Sequence, residues 1–162
     1  MISPGARLLP ASIPFRFLAA ALLFHLLGWT AMAASAPILA SAEGGLGLPV
    51  AGLHLMTLGV LTVTAVGAGF QLLPVAIQAA LPAVWPCRLI SWLLLLGVAV
   101  LGWGMMTADL WLLGLGGSAV ALALLVFVVV VGLGLGQFPR QVCRVWQVDS
   151  GAFRTAGDMI LC

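Results

Sequence analysis

Four long apolar blocks, each free or nearly free of charge, alternate along the chain with short clusters of proline, glycine and charged residues. A block of about 20 such residues crosses a bilayer as a helix. The pattern predicts an all-α, polytopic membrane protein, an antiparallel bundle of four transmembrane helices at about 15–38, 50–73, 89–106 and 110–135. The first helix opens in Ile13-Pro-Phe-Arg-Phe17, where Pro14 suits a first-turn position and Arg16 can reach the headgroups. It ends before Pro37 or by Ala42, and Glu43-Gly-Gly-Leu-Gly-Leu-Pro49 forms a tight loop. Pro74 either ends the second helix or kinks it toward Ala80. Pro82 and Pro86 bracket the next turn, and Asp109 marks a short one before the fourth helix.

Three divisions follow: an irregular arm at 1–14, rich in proline, the helical domain at 15–136, and a tail at 137–162. The tail is either disordered or carries an amphipathic helix at Val142–Val148 that lies on the membrane. The apolar run from Phe17 to Ala36 exceeds the roughly 7 to 15 residues of a secretory signal core. A retained span is expected there.

Composition strengthens this picture and narrows the chemistry. Of 162 residues, 64% are hydrophobic and 6% charged, against about 25% charged in a soluble domain. All six basic residues are arginines, and a net charge of +2 gives no footprint for nucleic acid. The arginines report topology instead. With four spans and the N-terminus inside, Arg7, Arg16, Arg88, Arg140, Arg144 and Arg154 all fall on the cytoplasmic side, while Glu43 and Asp109 fall outside. A bacterial inner membrane with both termini cytoplasmic is the expected setting, with Trp85, Trp92, Trp103 and Trp111 as interfacial anchors. Cys87, Cys143 and Cys162 are too dispersed for a disulfide framework or a zinc site.

Within the second block, His54, Thr57, Leu61, Ala65, Ala68 and Gly69 fall on one small, weakly polar stripe. Small residues allow helices to approach in lipid, so this stripe is expected to pack against helix one or three. Its threonines need no ligand, since each can bond the backbone one turn back.

His25, His54, Gln71 and Gln78 are the polar groups in the bilayer that ask for an explanation. Neutral imidazole ligates haem iron, and two histidines on neighbouring helices can hold a b-type haem. Alternatively, each histidine bonds a carbonyl or hydroxyl across a helix interface. At 1.5 Å per residue, His25 lies roughly 15 Å from one face of the core and His54 roughly 6 Å from the other. That leaves about 9 Å of depth between them, too much for one haem. His54 is the stronger candidate and His25 the weaker. Met56, Met105 and Met106 are expected to serve packing, and Gln71 to bond backbone freed by Pro74.

Ile13-Pro-Phe-Arg-Phe17 followed by His54-Leu-Met-Thr-Leu-Gly-Val-Leu-Thr-Val-Thr-Ala-Val-Gly-Ala-Gly-Phe-Gln-Leu-Leu-Pro74 resembles the N-terminal part of haem-copper oxidase subunit I-like proteins and the related NnrS family, over about residues 13–80. The resemblance implies that His54 occupies the position of an axial ligand to a low-spin haem b iron, in a respiratory or nitrogen-oxide context. In that family the second axial ligand and the copper ligands come from later helices, whereas no histidine follows His54 here. The acidic residue that follows the histidine in NnrS proteins is also missing. Reduction of oxygen or nitric oxide by this chain alone is not expected, nor is enzyme activity of the chain on its own. The resemblance implies a shortened relative, a fragment, or a subunit that shares a haem with a partner.

The alternative is a cofactor-free membrane subunit or assembly factor that docks onto a larger membrane complex or forms a homo-oligomer. Half a transporter ranks last, because no charged residue lines a pathway.

Overall fold

The computed structural model describes residues 10–39, 45–76 and 85–136, and every regular element among them is helical. Four of these helices are long and apolar enough to cross a membrane. They are α1 (Ser12–Leu39), α2 (Leu48–Ala76, in three segments, Leu48–His54, Leu55–Thr62 and Val63–Ala76), α3 (Trp85–Thr107) and α4 (Leu110–Leu135). The protein is thus an all-α polytopic membrane protein. The tail at 137–162, Gln78, Pro82, Glu43 and Arg7 lie outside the described residues.

The first three helices start earlier than the apolar pattern suggests, while the fourth spans Leu110–Leu135 as expected. α3 begins at Trp85 rather than near residue 89, because Pro86 sits in its first turn, where a missing N–H leaves no bond unmade. Pro14 and Pro49 occupy the same kind of place in α1 and α2, so residues 12–14 belong to α1 and not to an irregular arm. Pro37 and Pro74 are carried inside the last turns, and neither ends its helix. Before α2 the chain turns on Gly45 and Gly47, both at left-handed φ (103° and 149°), which accounts for the glycines of this loop.

Two antiparallel hairpins, α1 with α2 and α3 with α4, join through α2 on α3. In the first hairpin, aromatic rings lie over glycines. A Cβ added at Gly59 would come within 2.7 Å of Phe24, and one at Gly67 within 2.6 Å of Phe17. Phe17 continues to Phe70 of α2 (ring centroids 6.0 Å apart), and Phe70 meets Phe127 of α4 edge-on at 5.1 Å. This aromatic line ties α1, α2 and α4 together near one end of the bundle.

The face by which α2 packs is therefore not the expected one. Thr57, Leu61, Ala65 and Ala68 are exposed, His54 is half-buried, and a Cβ added at Gly69 would meet Phe127 of α4. The buried seam holds Ala51, Gly52, Leu55, Gly59, Val63, Val66, Gly67 and Phe70. The physical reason is shape. A ring seated on bare backbone buries more contact than alanine against alanine, and only glycine leaves room for it.

In the second hairpin the backbones themselves touch. A Cβ at Gly116 would stand 2.4 Å from the Leu101 nitrogen, and one at Gly104 would stand 2.8 Å from the Leu113 nitrogen. The turn that closes this hairpin is tight. Ala108 adopts a left-handed φ of 54°, the Asp109 N–H donates to Gly104 O (3.0 Å), and the Asp109 carboxylate accepts from the N–H groups of Trp111 (2.9 Å) and Leu112 (3.3 Å). Asp109 is the N-cap of α4. Asp109→Ala is expected to cost about 1 kcal/mol and Asp109→Asn much less, which unfolding of the purified protein in mixed detergent micelles would measure.

Candidate functional site

α2 changes its winding directly after His54. Across Leu55–Thr62 the backbone is π-helical, with a wider turn than an α-helix, and the Thr62 hydroxyl donates to Thr57 O five residues back at 3.2 Å. π-Segments of this kind are rare and concentrate where a helix is bent to a task. Nothing in the apolar pattern of the block announces it.

His54 ends the α-helical segment that precedes this winding change. Its Nδ1 lies 2.9 Å from Val50 O, one turn earlier in the same helix. A carbonyl oxygen only accepts, so Nδ1 carries the proton and Nε2 keeps its lone pair. The bond weighed as an alternative across a helix interface is thus made within α2 instead, and Nε2 is left without a hydrogen bond among the described residues. This is the arrangement in which imidazole serves best as a ligand, since the backbone bond sets both tautomer and ring orientation.

His25 stands elsewhere. It is exposed on α1, in a T-shaped contact with the ring of Trp29 (centroids 6.3 Å apart) and with no hydrogen-bond partner among the described residues. A bond to a carbonyl or hydroxyl of a neighbouring helix, the alternative weighed for it, is not formed among them. Phe24 lies against Gly59, and Ala31 and Met32 lie against Gly52. This register puts the two histidines about five residues apart in depth, roughly 7 Å. The structure does not bring them together.

Of the methionines expected to serve packing, Met56 and Met105 do so, while Met106 is exposed. Met56 fills the space beside Gly28, and Met105 is buried beside Ala51 and Leu101. Thr57 and Thr107 return their hydroxyls to carbonyls four residues earlier, and Thr30 does the same to Leu26. Gln71 departs from expectation. Its Oε1 is buried without a hydrogen-bond partner rather than engaged with backbone freed by Pro74. The carbonyl that Pro74 frees could accept only from the Gln71 side-chain NH2, not from its oxygen. Among the described residues no three His, Cys, Asp or Glu side chains gather as a metal site would require.

No family model, curated protein or solved structure matches the chain. Its function must therefore be argued from geometry. The fold offers one oriented imidazole on α2, beside a π-helical turn, and one bare imidazole on the outside of α1. Arg16 and Arg88 lie at one end of the bundle and Asp109 at the other, because α1 and α3 start at the same end and α4 starts at the opposite one.

Proposed function

We propose that this chain is a haem-associated membrane subunit in which His54 supplies one axial ligand of a b-type haem and a partner chain supplies the other. The observation that carries this reading is the bond from His54 Nδ1 to Val50 O, which presents Nε2 as the free ligand nitrogen. The resemblance of residues 13–80 to oxidase subunit I-like and NnrS-like proteins supports it, and so does the π-helical turn that follows His54. A haem held there would supply one-electron transfer, with the chain itself binding and orienting the group. His25 contributes nothing to that site, being offset in depth and exposed on another helix. The shared end of Arg16 and Arg88 favours an orientation with that end, and both termini, on the cytoplasmic side of a bacterial inner membrane.

The second reading is a cofactor-free subunit or assembly factor that docks onto a larger membrane complex. A reduced-minus-oxidised visible spectrum of the full chain purified in mild detergent separates the two. A Soret and α-band pair that His54→Ala abolishes and His25→Leu retains is the expected result. A colourless protein that co-purifies with a larger complex would establish the second reading and sink the first.

A further inference from the structure

His25 sits at the middle of α1, thirteen residues from Ser12 and fourteen from Leu39. Its ring is exposed, in a stretch flanked by exposed Leu22, Leu26 and Trp29 (66%, 66% and 60%). In a bilayer this is the hydrocarbon midplane, where water offers no hydrogen bond. Ionisable side chains at such depth almost always face protein or a water-filled cavity. Exposed hydroxyls of the chain avoid this cost by turning to their own backbone, as Thr30, Thr57 and Thr107 do. His54 does likewise through Val50 O. His25 does not, and the one ring it meets among the described residues is that of Trp29, in a T-shaped contact.

We infer that α1 is the contact between two copies of this chain, with His25 of one copy hydrogen-bonded to His25 of the other across a two-fold axis normal to the membrane. Two arguments select a second copy over another occupant. Copies inserted with the same orientation present every residue at the same depth, so a two-fold axis along α1 brings His25 to its own twin. A neutral imidazole carries one donor and one acceptor, so two of them satisfy each other without any other group. The stripe around His25 is built for such a pairing. Leu18, Leu22, His25 and Trp29 follow spacings of four, three and four, the seam of a left-handed helix pair, with Ala36 further along it. All five are exposed. The face lies one residue round from the buried seam of Phe17, Ala21, Phe24 and Gly28, so α1 can serve both contacts at once.

The test uses the full chain with Cys87→Ala, Cys143→Ser and Cys162→Ser as background, reconstituted in phosphatidylcholine vesicles and oxidised with copper-phenanthroline. Single cysteines at Leu22→Cys and Trp29→Cys are expected to give a disulfide-linked dimer, and Leu125→Cys on the exposed face of α4 is expected to give none. In the otherwise unsubstituted chain, His25→Leu is expected to weaken dimerisation about 3- to 10-fold, the range for an interhelical polar contact in lipid. His25→Asn, which keeps a donor and an acceptor, is expected to recover part of it. Because the side chain is exposed, these variants keep the fold, and circular dichroism verifies that. A monomer at all protein-to-lipid ratios would overturn the inference, as would a cross-link from Leu125→Cys alone or a dimer indifferent to His25→Leu. A haem band lost in His25→Leu would assign the imidazole to a metal and overturn it too. The inference stands apart from the haem reading, since a colourless dimer supports this one while ending that one.

Discussion

Gly116→Ala is expected to loosen the α3 and α4 hairpin and lower the stability of the folded protein by about 1–2 kcal/mol. The added Cβ would lie 2.4 Å from the Leu101 nitrogen and 2.6 Å from its Cα. Both are backbone atoms, so no rotamer change relieves the clash, and the two helices must separate along a line that also includes Gly104 and Gly97. Overpacking of this kind costs about 1–3 kcal/mol in well-packed interiors. Against it stands only the gain from replacing glycine by alanine in a helix, at most about 1 kcal/mol. The neighbours provide the control. A Cβ added at Gly114 or Gly117 would meet nothing within 4 Å, so Gly114→Ala and Gly117→Ala are expected to be neutral or stabilising. Unfolding in mixed micelles, followed by the fluorescence of the six tryptophans, gives all three values. Equal effects at the three positions would show that the close approach is not what holds this hairpin.

The second large effect concerns Phe17, which is fully buried over Gly67. Lipid chains are as apolar as the interior, so Phe17→Ala loses little transfer energy. It does lose the contacts on Gly67 and Phe70, and the void left behind cannot close while α1 is held at Phe24 and Gly28. A cost of about 2–3 kcal/mol is expected, at the lower edge of values for buried aromatic residues in soluble cores. Gly67→Ala alone is expected to cost about 1–3 kcal/mol by pressing on the Phe17 Cβ. The double variant is expected to be more stable than the sum of the two by about 1 kcal/mol or more, because the methyl then occupies space the ring vacated. Strict additivity would mean that ring and glycine do not meet.

The span count, the all-helical class and the turn at Asp109 were legible in the chain because each depends on local chemistry. A run of about 20 apolar residues cannot satisfy its backbone in lipid except as a helix. A carboxylate at the start of a helix caps it in any context. Helix starts were displaced at Pro49 and Pro86, prolines read as punctuation although each sits in a first turn, and by three residues at α1. His54 was legible as a candidate, but the state of its ring was not.

What the chain did not disclose is which way each helix faces. In a soluble helix polarity separates inside from outside, whereas in lipid both sides are apolar and the choice rests on shape alone. Ala65 and Ala68 looked like an interface and are exposed, while Gly59 and Gly67 take the rings of Phe24 and Phe17. The π-helical winding after His54, the backbone bond that sets its tautomer, the unpaired Gln71 oxygen and the exposure of His25 belong to the same class. The sequence by itself determined that this protein is four membrane-crossing helices with two histidines among them. Only the tertiary structure decided that one imidazole is oriented by its own helix and the other left bare at mid-membrane, because facing is set by which surfaces fit, and fit is a property of pairs of helices.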